Sequence, residues 1–174
     1  MKRLEADFFS RDVLVVAPEL LGKFLVQIRE DGSKARYAIT EVEAYRGEED
    51  LACHASKGRT RRTEIMYAAG GHLYVYLIYG MYWMVNIVTG QKGIPQAVLI
   101  RGLQGISGPG RVSMELMLDG SWNGFNLVGS DRLWLEDSGR MPEYITTTRI
   151  GIDYAGDFWK SKPWRFVTKP ASRI

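Results

Sequence analysis

The sequence predicts an α+β domain built on a curved, mainly antiparallel β-sheet, with a few flanking helices and a protruding aromatic β-hairpin. Segments rich in alternating, β-branched and aromatic residues recur along the 174-residue chain, without strict strand–helix alternation. The 19 glycines supply turns between such strands and favour a curved sheet. The length is enough for one hydrophobic core, so we expect residues 1–174 to form a single domain.

Two helices are predicted. The first lies in SRDVLVVAPELLGK (10–23), where Ser10 can cap the start and Pro18 suits a first helical turn. Gly22 suits the position after the helix ends. The second helix is expected after the GPG sequence, through RVSMELML (111–118).

Most of the remaining chain favours β-structure. KFLVQIRE is followed by a turn at Asp31-Gly32, and the later segments combine alternation with β-branched or aromatic residues. The predicted strands are KFLVQIRE (23–30), ARYAITEVEAY (35–45), LYVYLIY (73–79), QAVLIRGL (96–103), RLWLED (132–137), YITTTRI (144–150) and WRFVTK (164–169).

Composition indicates a cytoplasmic location, associated with the nucleoid if the chain is bacterial. The lone Cys53 cannot form a disulfide within the chain, which fits a reducing compartment. The N-terminus shows no signal peptide. The apolar run at 73–88 is short for a membrane helix and is interrupted by Gly80, so no membrane contact is expected.

Basic residues are concentrated in two segments. The net charge of +3 permits an anionic partner without requiring one. KGRTRRTE (57–64) carries four cations, and KSKPWRFVTKPASRI (160–174) closes the chain. Each segment could equally be a solvated loop.

A pair of glutamates stands out in ITEVEAY. Alternation places Glu41, Glu43 and Tyr45 on one strand face together with Ile39. This face could simply be solvated. The pair could also serve as the two carboxylates of a glycosidase, or one glutamate could act as a base on water while the ring holds a flat substrate.

His54 follows an acidic stretch and precedes the first basic segment. A zinc site is not expected, because the only other histidine, His72, is remote and Cys53 has no CxxC partner. His54 is therefore interpreted as a neutral hydrogen-bonding or stacking group, or as an incidental surface histidine.

The segment HLYVYLIYGMYWMVNIV (72–88) is unusually rich in tyrosine. Tyr74 and Tyr76 share a strand face, and a turn around Gly80 would leave the side chains of Tyr79, Met81 and Tyr82 at or near a hairpin tip. A tyrosine-rich core strand is the simpler interpretation. Exposed rings beside arginines are also typical of nucleic-acid binding, and tip residues can wedge between base pairs.

Taken together, these segments suggest base flipping followed by hydrolysis. Tip aromatics would fill the gap left by an extruded nucleotide, pocket aromatics would clamp the base, and a carboxylate would activate water.

Several motifs, in order along nearly the whole chain, resemble the methylpurine (alkyladenine) DNA glycosylases. They are EVEAY, the acidic stretch ending in ACH, LYVYLIYGMYWMVNI, VLIRGL, GPGR and RIGIDYAG followed by KPWRF. The resemblance implies a monofunctional repair enzyme that cuts the N-glycosidic bond of 3-methyladenine, 7-methylguanine or hypoxanthine in duplex DNA. It implies no metal, no cofactor and no lyase activity.

The resemblance also implies a role for individual residues. Glu43 matches the general base, Arg101 helps to hold the attacking water, and a backbone carbonyl near Ile150 completes the water site. Arg101 is expected to lower the pKa of Glu43. The expected base pocket comprises Tyr45, Ala52, His54, Tyr76 and Asn86. The expected intercalating group comprises Tyr79, Met81 and Tyr82, and the expected phosphate contacts are Thr60, Arg61, Arg62 and Arg111.

Two other functions remain open from the sequence. The chain could be a non-catalytic nucleic-acid binding module that uses the same aromatic and basic residues. It could also be a carbohydrate-active hydrolase that uses Glu41 and Glu43 together. A monomer is expected, since one duplex-facing surface needs no symmetry.

Overall fold

The structure, a computed structural model, describes residues 1–169. Four short α-helices lie within this range: α1 (Ala6–Phe9), α2 (Val13–Leu20), α3 (Pro109–Glu115) and α4 (Gly156–Lys160). Single-turn 3₁₀ segments lie at His54–Lys57, Glu64–Tyr67, Gly120–Trp122 and Asp153–Ala155. None of the helices in this range is long and apolar enough to cross a membrane.

The strands of the described range form one antiparallel sheet. They are β1 (Phe24–Ile28), β2 (Lys34–Arg46), β3 (Leu73–Ile78), β4 (Tyr82–Val88), β5 (Gln96–Leu103), β6 (Ile106–Ser107), β7 (Leu133–Glu136), β8 (Tyr144–Thr147) and β9 (Arg165–Thr168). The main order is β3-β4-β5-β2-β1-β7, with β6 paired to β5 and the β8–β9 hairpin attached to β2 through β9. The predicted α+β class, with a mainly antiparallel sheet and a few helices, is confirmed.

The long strand β2 is the centre of the sheet and changes partners along its length. Its first part pairs with β1, and its second part pairs with β5 on one side and β9 on the other. The register with β5 shifts on both sides of Glu41. Gly102 suits the close approach of the two strands at this point, because an added Cβ would lie 3.1 Å from Glu41 Cβ.

This shift corrects the predicted faces of β2. Ile39 belongs to the same buried cluster as Val42 and Ala44, not to the face of Glu43. An irregularity that adds a residue on one strand moves the side chains before it to the opposite face. Uninterrupted alternation therefore fails between Ile39 and Val42.

The main core lies on the face of the sheet covered by α2 and α3. It comprises residues of α1, α2, α3 and seven strands, with Leu20, Ile39 and Ile100 almost wholly buried. Two smaller apolar clusters, one around Tyr74 and Met66 and one around Ile152, lie outside it. Partly buried Tyr45 packs against both of these smaller clusters, which places its strand at the boundary between them.

The ends of the first predicted helix differ from expectation. Ser10 follows α1, and the cap of α2 is Asp12, whose carboxylate accepts from the backbone N–H of Leu14 at 2.9 Å. Pro18 lies in the last turn of α2 instead of the first. Gly22 has φ of +76°, as predicted for a position just after a helix.

The predicted strand at 144–150 ends early, at Thr147. The next residues leave the sheet because Arg149 and Ile150 bond to groups elsewhere, as described below. The other predicted strands are present within a residue or two of the expected bounds. Residues 170–174 of the second basic segment lie outside the described residues.

Candidate active site

A cleft of about 1080 Å³ lies beside β2, β3, β4 and β5. The loop around Ala52, the start of α3 and the loop around Ile150 complete its walls. The cleft is lined by many of the predicted site residues, namely Tyr45, Ala52, His54, Arg62, Tyr76, Tyr79, Tyr82, Asn86, Arg101, Arg111 and Ile150. Residues that lie far apart in the sequence are therefore brought to one concave surface.

Glu43 is fully buried immediately behind this lining. One carboxylate oxygen, Oε1, accepts from the backbone N–H of Ile150 at 2.8 Å. The other, Oε2, accepts from the hydroxyl of Tyr45 at 2.8 Å. Arg101 Nε lies 3.5 Å from Oε1. The solvated-face interpretation of Glu43 is therefore wrong, because the side chain is fixed from three directions and shielded from solvent.

The pKa of Glu43 is raised above its usual value, because burial disfavours the carboxylate more than its neighbours stabilise it. Arg101 opposes this shift most strongly, followed by the Ile150 N–H, the Tyr45 hydroxyl and Arg149. The expected lowering by Arg101 is therefore present, and burial outweighs it. A buried carboxylate with a raised pKa is typical of groups that accept protons near neutral pH.

Glu41 has a different environment from Glu43, although the two are only two residues apart. Its Oε1 accepts from Arg101 Nε at 3.1 Å and from Arg165 Nη1 at 2.9 Å. Arg165 comes from β9, which pairs with this part of β2. Glu41 is thus held between two arginines and contributes no side chain to the lining of the cleft.

Ile150 contacts Glu43 through its N–H, whereas the sequence predicted a role for a backbone carbonyl. The preceding residue, Arg149, is buried and donates to Asp50 at 2.5 Å and 2.9 Å through its two terminal nitrogens. Its Nη1 also donates to the carbonyl of Ala44 at 3.0 Å. Sequence reasoning missed this pair, since Asp50 belongs to an acidic stretch and Arg149 to a predicted strand.

The aromatic residues form walls of the cleft. The rings of His54 and Tyr76 are 4.6 Å apart and nearly edge to face. To hold a flat base between them, two ring planes must be about 7 Å apart, twice the usual contact distance. His54 and Tyr76 therefore form parts of one wall, and Tyr45 lies elsewhere in the lining.

His54 is neutral in this environment. Burial, followed by the charges of Arg62 and Lys57, lowers its pKa to about 4. Its Nδ1 is hydrogen-bonded to the hydroxyl of Tyr74 at 2.8 Å. This agrees with the interpretation of His54 as a neutral hydrogen-bonding and stacking group.

Ala52 and Asn86 occupy constrained positions in the lining. The Ala52 carbonyl accepts from the hydroxyl of Tyr154 at 3.0 Å. Buried Asn86 donates through Nδ2 to the carbonyl of Tyr74 at 3.0 Å. Tyr154, an exposed residue beside the cleft, was not singled out from the sequence because it lies within a glycine-containing loop.

The β3–β4 hairpin carries the exposed aromatic turn. Tyr79 has φ of +53° and is 82% exposed, and Met81 is 64% exposed. A positive φ strains any residue with a Cβ, and an exposed ring recovers little of that cost by packing. The ring of Tyr82 packs against Gly110 at the start of α3, where an added Cβ would lie 2.9 Å away. Strain at an exposed aromatic residue suggests a functional contact.

The predicted phosphate-contact residues occupy different settings. Exposed Thr60 is hydrogen-bonded to Thr63 at 3.1 Å through the hydroxyls. Arg62 lies over the ring of Tyr76 at 5.1 Å, so it is a pocket residue as well. Within residues 1–169, the exposed side chains of Arg61, Arg62 and Arg111 form no ion pair, whereas nearby Arg59 pairs with Glu64.

No cluster of three or more His, Cys, Asp and Glu side chains within residues 1–169 could hold a metal ion.

Comparison with known proteins gives a family match over most of the chain. The model of the family described as "Methylpurine-DNA glycosylase (MPG)" matches residues 7–107 and 104–172. A Legionella pneumophila (strain Corby) protein is 42% identical over 179 residues, covering 97% of this chain and 96% of the relative. A Rickettsia felis protein is 43% identical, covering 98% and 96%, and a Methanocella arvoryzae protein is 41% identical, covering 97% and 94%. Each is named "Putative 3-methyladenine DNA glycosylase".

Proposed function

The chain belongs to the methylpurine-DNA glycosylase family, and we propose that it is a hydrolase that removes damaged purines from duplex DNA, with Glu43 as the base that activates water. The observation that carries this proposal is the setting of Glu43. Its carboxylate is buried behind an aromatic cleft and is fixed by the Ile150 N–H and the Tyr45 hydroxyl, close to Arg101.

In the proposed reaction, ionised Glu43 takes a proton from water as the water oxygen bonds to C1′ of the damaged nucleotide. The bond from C1′ to the purine nitrogen breaks, and its electron pair leaves with the base. An oxocarbenium-like transition state is expected, as in other glycoside hydrolysis. The raised pKa of Glu43 suits this role, because a carboxylate with a higher pKa is a stronger proton acceptor.

The proposed pocket holds the extruded base between Tyr45 on one side and the His54–Tyr76 wall on the other. The short distance between the rings of His54 and Tyr76 supports this arrangement. Tyr79 would enter the duplex and fill the gap left by the base. The exposed ring of Tyr79 and its strained backbone favour this role over a structural one.

The proposed substrates are 3-methyladenine, 7-methylguanine and hypoxanthine. Alkylated purines that carry positive charge are good leaving groups and stack well on aromatic walls. Asn86 would disfavour guanine by crowding its exocyclic amine, since hydrogen bonding to a backbone carbonyl fixes the Asn86 side chain. 7-Methylguanine carries the same amine, so its release would depend on the positive charge that makes it a better leaving group. Glu41 is engaged by two arginines, which argues against a paired-carboxylate sugar hydrolase and against Glu41 as a general acid.

The decisive experiment measures base release from duplexes that contain hypoxanthine and, separately, from methylated DNA. Wild-type protein is compared with Glu43→Gln and with Glu30→Gln, which changes an exposed glutamate beside the β1–β2 turn. Loss of a general base is expected to slow release by about 10²- to 10⁴-fold. Duplex binding, measured in parallel, should survive in both variants.

The outcomes separate the possible functions. Release by wild type and Glu30→Gln, but not by Glu43→Gln, would support a glycosylase with Glu43 as its base. Release by all three proteins would remove Glu43 from that role. Binding without release by the wild type would favour a non-catalytic nucleic-acid binding module. We further propose that the protein acts as a monomer, without metal or cofactor.

A further inference from the structure

The Arg149–Asp50 ion pair is buried on both sides. Arg149 presents both terminal nitrogens to the two carboxylate oxygens of Asp50, and its Nε has no hydrogen-bond partner. Buried pairs are costly to desolvate, and apolar replacements of the whole pair are often neutral or stabilising. Stability alone therefore does not account for this pair.

The pair connects the backbone segments that carry the proposed base and pocket. Arg149 directly precedes Ile150, whose N–H holds Glu43. Its guanidinium donates to the carbonyl of Ala44, which lies between Glu43 and Tyr45 in the sequence. The same guanidinium lies 4.9 Å from the centre of the Tyr45 ring. The Arg149 side chain thus contacts β2 and restrains the loop that contains Ile150.

Asp50 extends the same connection to the part of the cleft wall that contains His54. Its carboxylate accepts from the backbone N–H of Arg46 at 3.1 Å and from that of Ala52 at 3.1 Å. The loop that begins with Ala52 leads to His54 and to the 3₁₀ turn at His54–Lys57. Asp50 therefore links the loop of the His54 wall to Arg149.

We propose that the Asp50–Arg149 pair is a positioning device for base release, which holds the Ile150 amide against Glu43 and fixes the Ala52–His54 loop relative to Tyr45. This proposal rests on the proposed function, since it concerns the same site. Neither residue lines the cleft, so both act through the residues that they hold and not by contact with the substrate.

The charge of Arg149 provides a second effect that can be measured independently of geometry. Arg149 stabilises the Glu43 carboxylate together with Arg101, Tyr45 and the Ile150 amide. Removing the guanidinium and loosening Ile150 each raise the pKa of Glu43 further. Removing the Asp50 carboxylate acts in the opposite direction but more weakly, since Arg149 and not Asp50 is among the main groups that set this pKa. A purely structural pair would leave that pKa unchanged in the folded protein.

The test uses a double variant, Arg149→Met with Asp50→Leu, which removes both charges and leaves neither partner buried alone. Arg149→Lys is the second variant, since it keeps the positive charge but loses the planar guanidinium that binds both oxygens of Asp50. The control, Arg11→Met with Glu19→Leu, removes a bidentate pair with distances of 3.1 Å and 2.7 Å that does not line the cleft. Circular dichroism sets a temperature at which all the proteins are folded.

Single-turnover base release and duplex affinity are then measured against pH. The double variant should release base about 10²-fold more slowly, the scale of a ~1 Å misplacement, with little change in affinity. The acid limb of its pH–rate profile, where the rate falls as Glu43 is protonated, should move to higher pH. Arg149→Lys should keep the acid limb near that of the wild type and lose only part of the rate. The control variant should change neither the release rate nor the acid limb.

Carbon-13 carboxyl NMR of Glu43 provides a readout that does not need activity. A higher pKa of Glu43 in the double variant than in the wild type is expected, even if the wild type releases no base and the proposed function fails. A folded double variant with wild-type release rate and an unchanged Glu43 titration would overturn the positioning role. A slower rate with an unchanged acid limb and unchanged titration would also overturn it, because the pair would then be structural only.

Discussion

Replacing Tyr45 with phenylalanine isolates the contribution of one hydroxyl to the proposed base. The Tyr45 hydroxyl donates to Glu43 Oε2 at 2.8 Å, and phenylalanine keeps the ring in the pocket wall. A hydrogen bond to a charged group contributes about 1.5–3 kcal/mol. The ionised form of Glu43 should lose about this much, so the pKa of Glu43 should rise beyond its already raised position.

The effect on the rate follows from this loss. Below the pH at which Glu43 titrates in the wild type, the ionised fraction should fall by about 10- to 150-fold, since 1.36 kcal/mol corresponds to a factor of ten. At higher pH the rate should return towards that of the wild type, because the carboxylate forms again. The pKa of Tyr45 is held well above its usual range by burial and by the neighbouring Glu43 carboxylate, so the hydroxyl remains a donor throughout.

Stability should change in the same variant with a defined sign. The folded pKa of Glu43 lies above its unfolded value, so the stability it contributes is present at acid pH and is lost as pH rises through the folded pKa. Tyr45→Phe raises the folded pKa further. The loss in free energy of unfolding should therefore be larger at pH 8 than at pH 4, by up to about 1.5–3 kcal/mol.

The assay is single-turnover base release from a hypoxanthine duplex between pH 5.5 and pH 9, with urea unfolding at pH 4 and pH 8. Tyr67→Phe is the matched control, since its hydroxyl donates to Glu48 and does not contact Glu43. Tyr67→Phe should leave the acid limb in place. An acid limb at the same pH in Tyr45→Phe and in the wild type would refute the reasoning, because the hydroxyl would then not stabilise the carboxylate.

Four further variants test other parts of the molecule. Tyr79→Asn should preserve or raise the free energy of unfolding, because asparagine tolerates a positive φ, yet should weaken base release from duplex DNA; loss of stability would contradict the strain argument. Arg111→Gln should reduce the slope of log DNA affinity against log salt concentration by about 0.9. Arg62→Gln should raise the pKa of His54 above about 4, as measured by NMR. Leu20→Ala should cost about 2–5 kcal/mol in urea unfolding while the folded fraction keeps its release rate, since Leu20 is wholly buried in the main core.

The strands could be predicted from the sequence because their signals are local. QAVLIRGL is predicted at 96–103, and β5 covers Gln96–Leu103. The irregularity near Glu41 could not be predicted, since it lies in the pairing with Gly102 of a neighbouring strand. The early end of the strand at Thr147 likewise depends on distant partners, namely Asp50 and Glu43. Alternation describes one strand at a time, and it fails where another strand or loop determines the conformation.

The same limit applies to the site. Glu43, Tyr45 and His54 carry recognisable chemistry within short motifs, and the structure places them around one cleft. Asp50 and Arg149 carry no such local signal, because each is ordinary within its own segment. Their importance lies in a contact across 99 positions of the sequence. A single sequence reveals residue types suited to a reaction more readily than the residues that hold them in place.

Charge balance explains why so many groups converge on one glutamate. The ion-pair network around Glu43 comprises three carboxylates and three guanidinium groups: Glu41, Glu43, Asp50, Arg101, Arg149 and Arg165. The group is neutral when Glu43 is ionised and gains one positive charge when Glu43 takes a proton. Burial favours the protonated form, whereas the guanidinium groups favour the ionised form, and proton acceptance near neutral pH requires that neither dominates.

This balance predicts that variants at different contacts of Glu43 will not act independently. Tyr45→Phe and the double variant at Arg149 and Asp50 remove different stabilising groups from the same carboxylate. Once one has moved the acid limb above the assay pH, the other acts on a largely protonated base, and contacts within one network show coupling energies of about 0.5–3 kcal/mol. Combining them should therefore give non-additive rates at pH 7 and more nearly additive rates at pH 9. Additivity at both pH values would mean that the two contacts affect catalysis by routes other than the charge of Glu43.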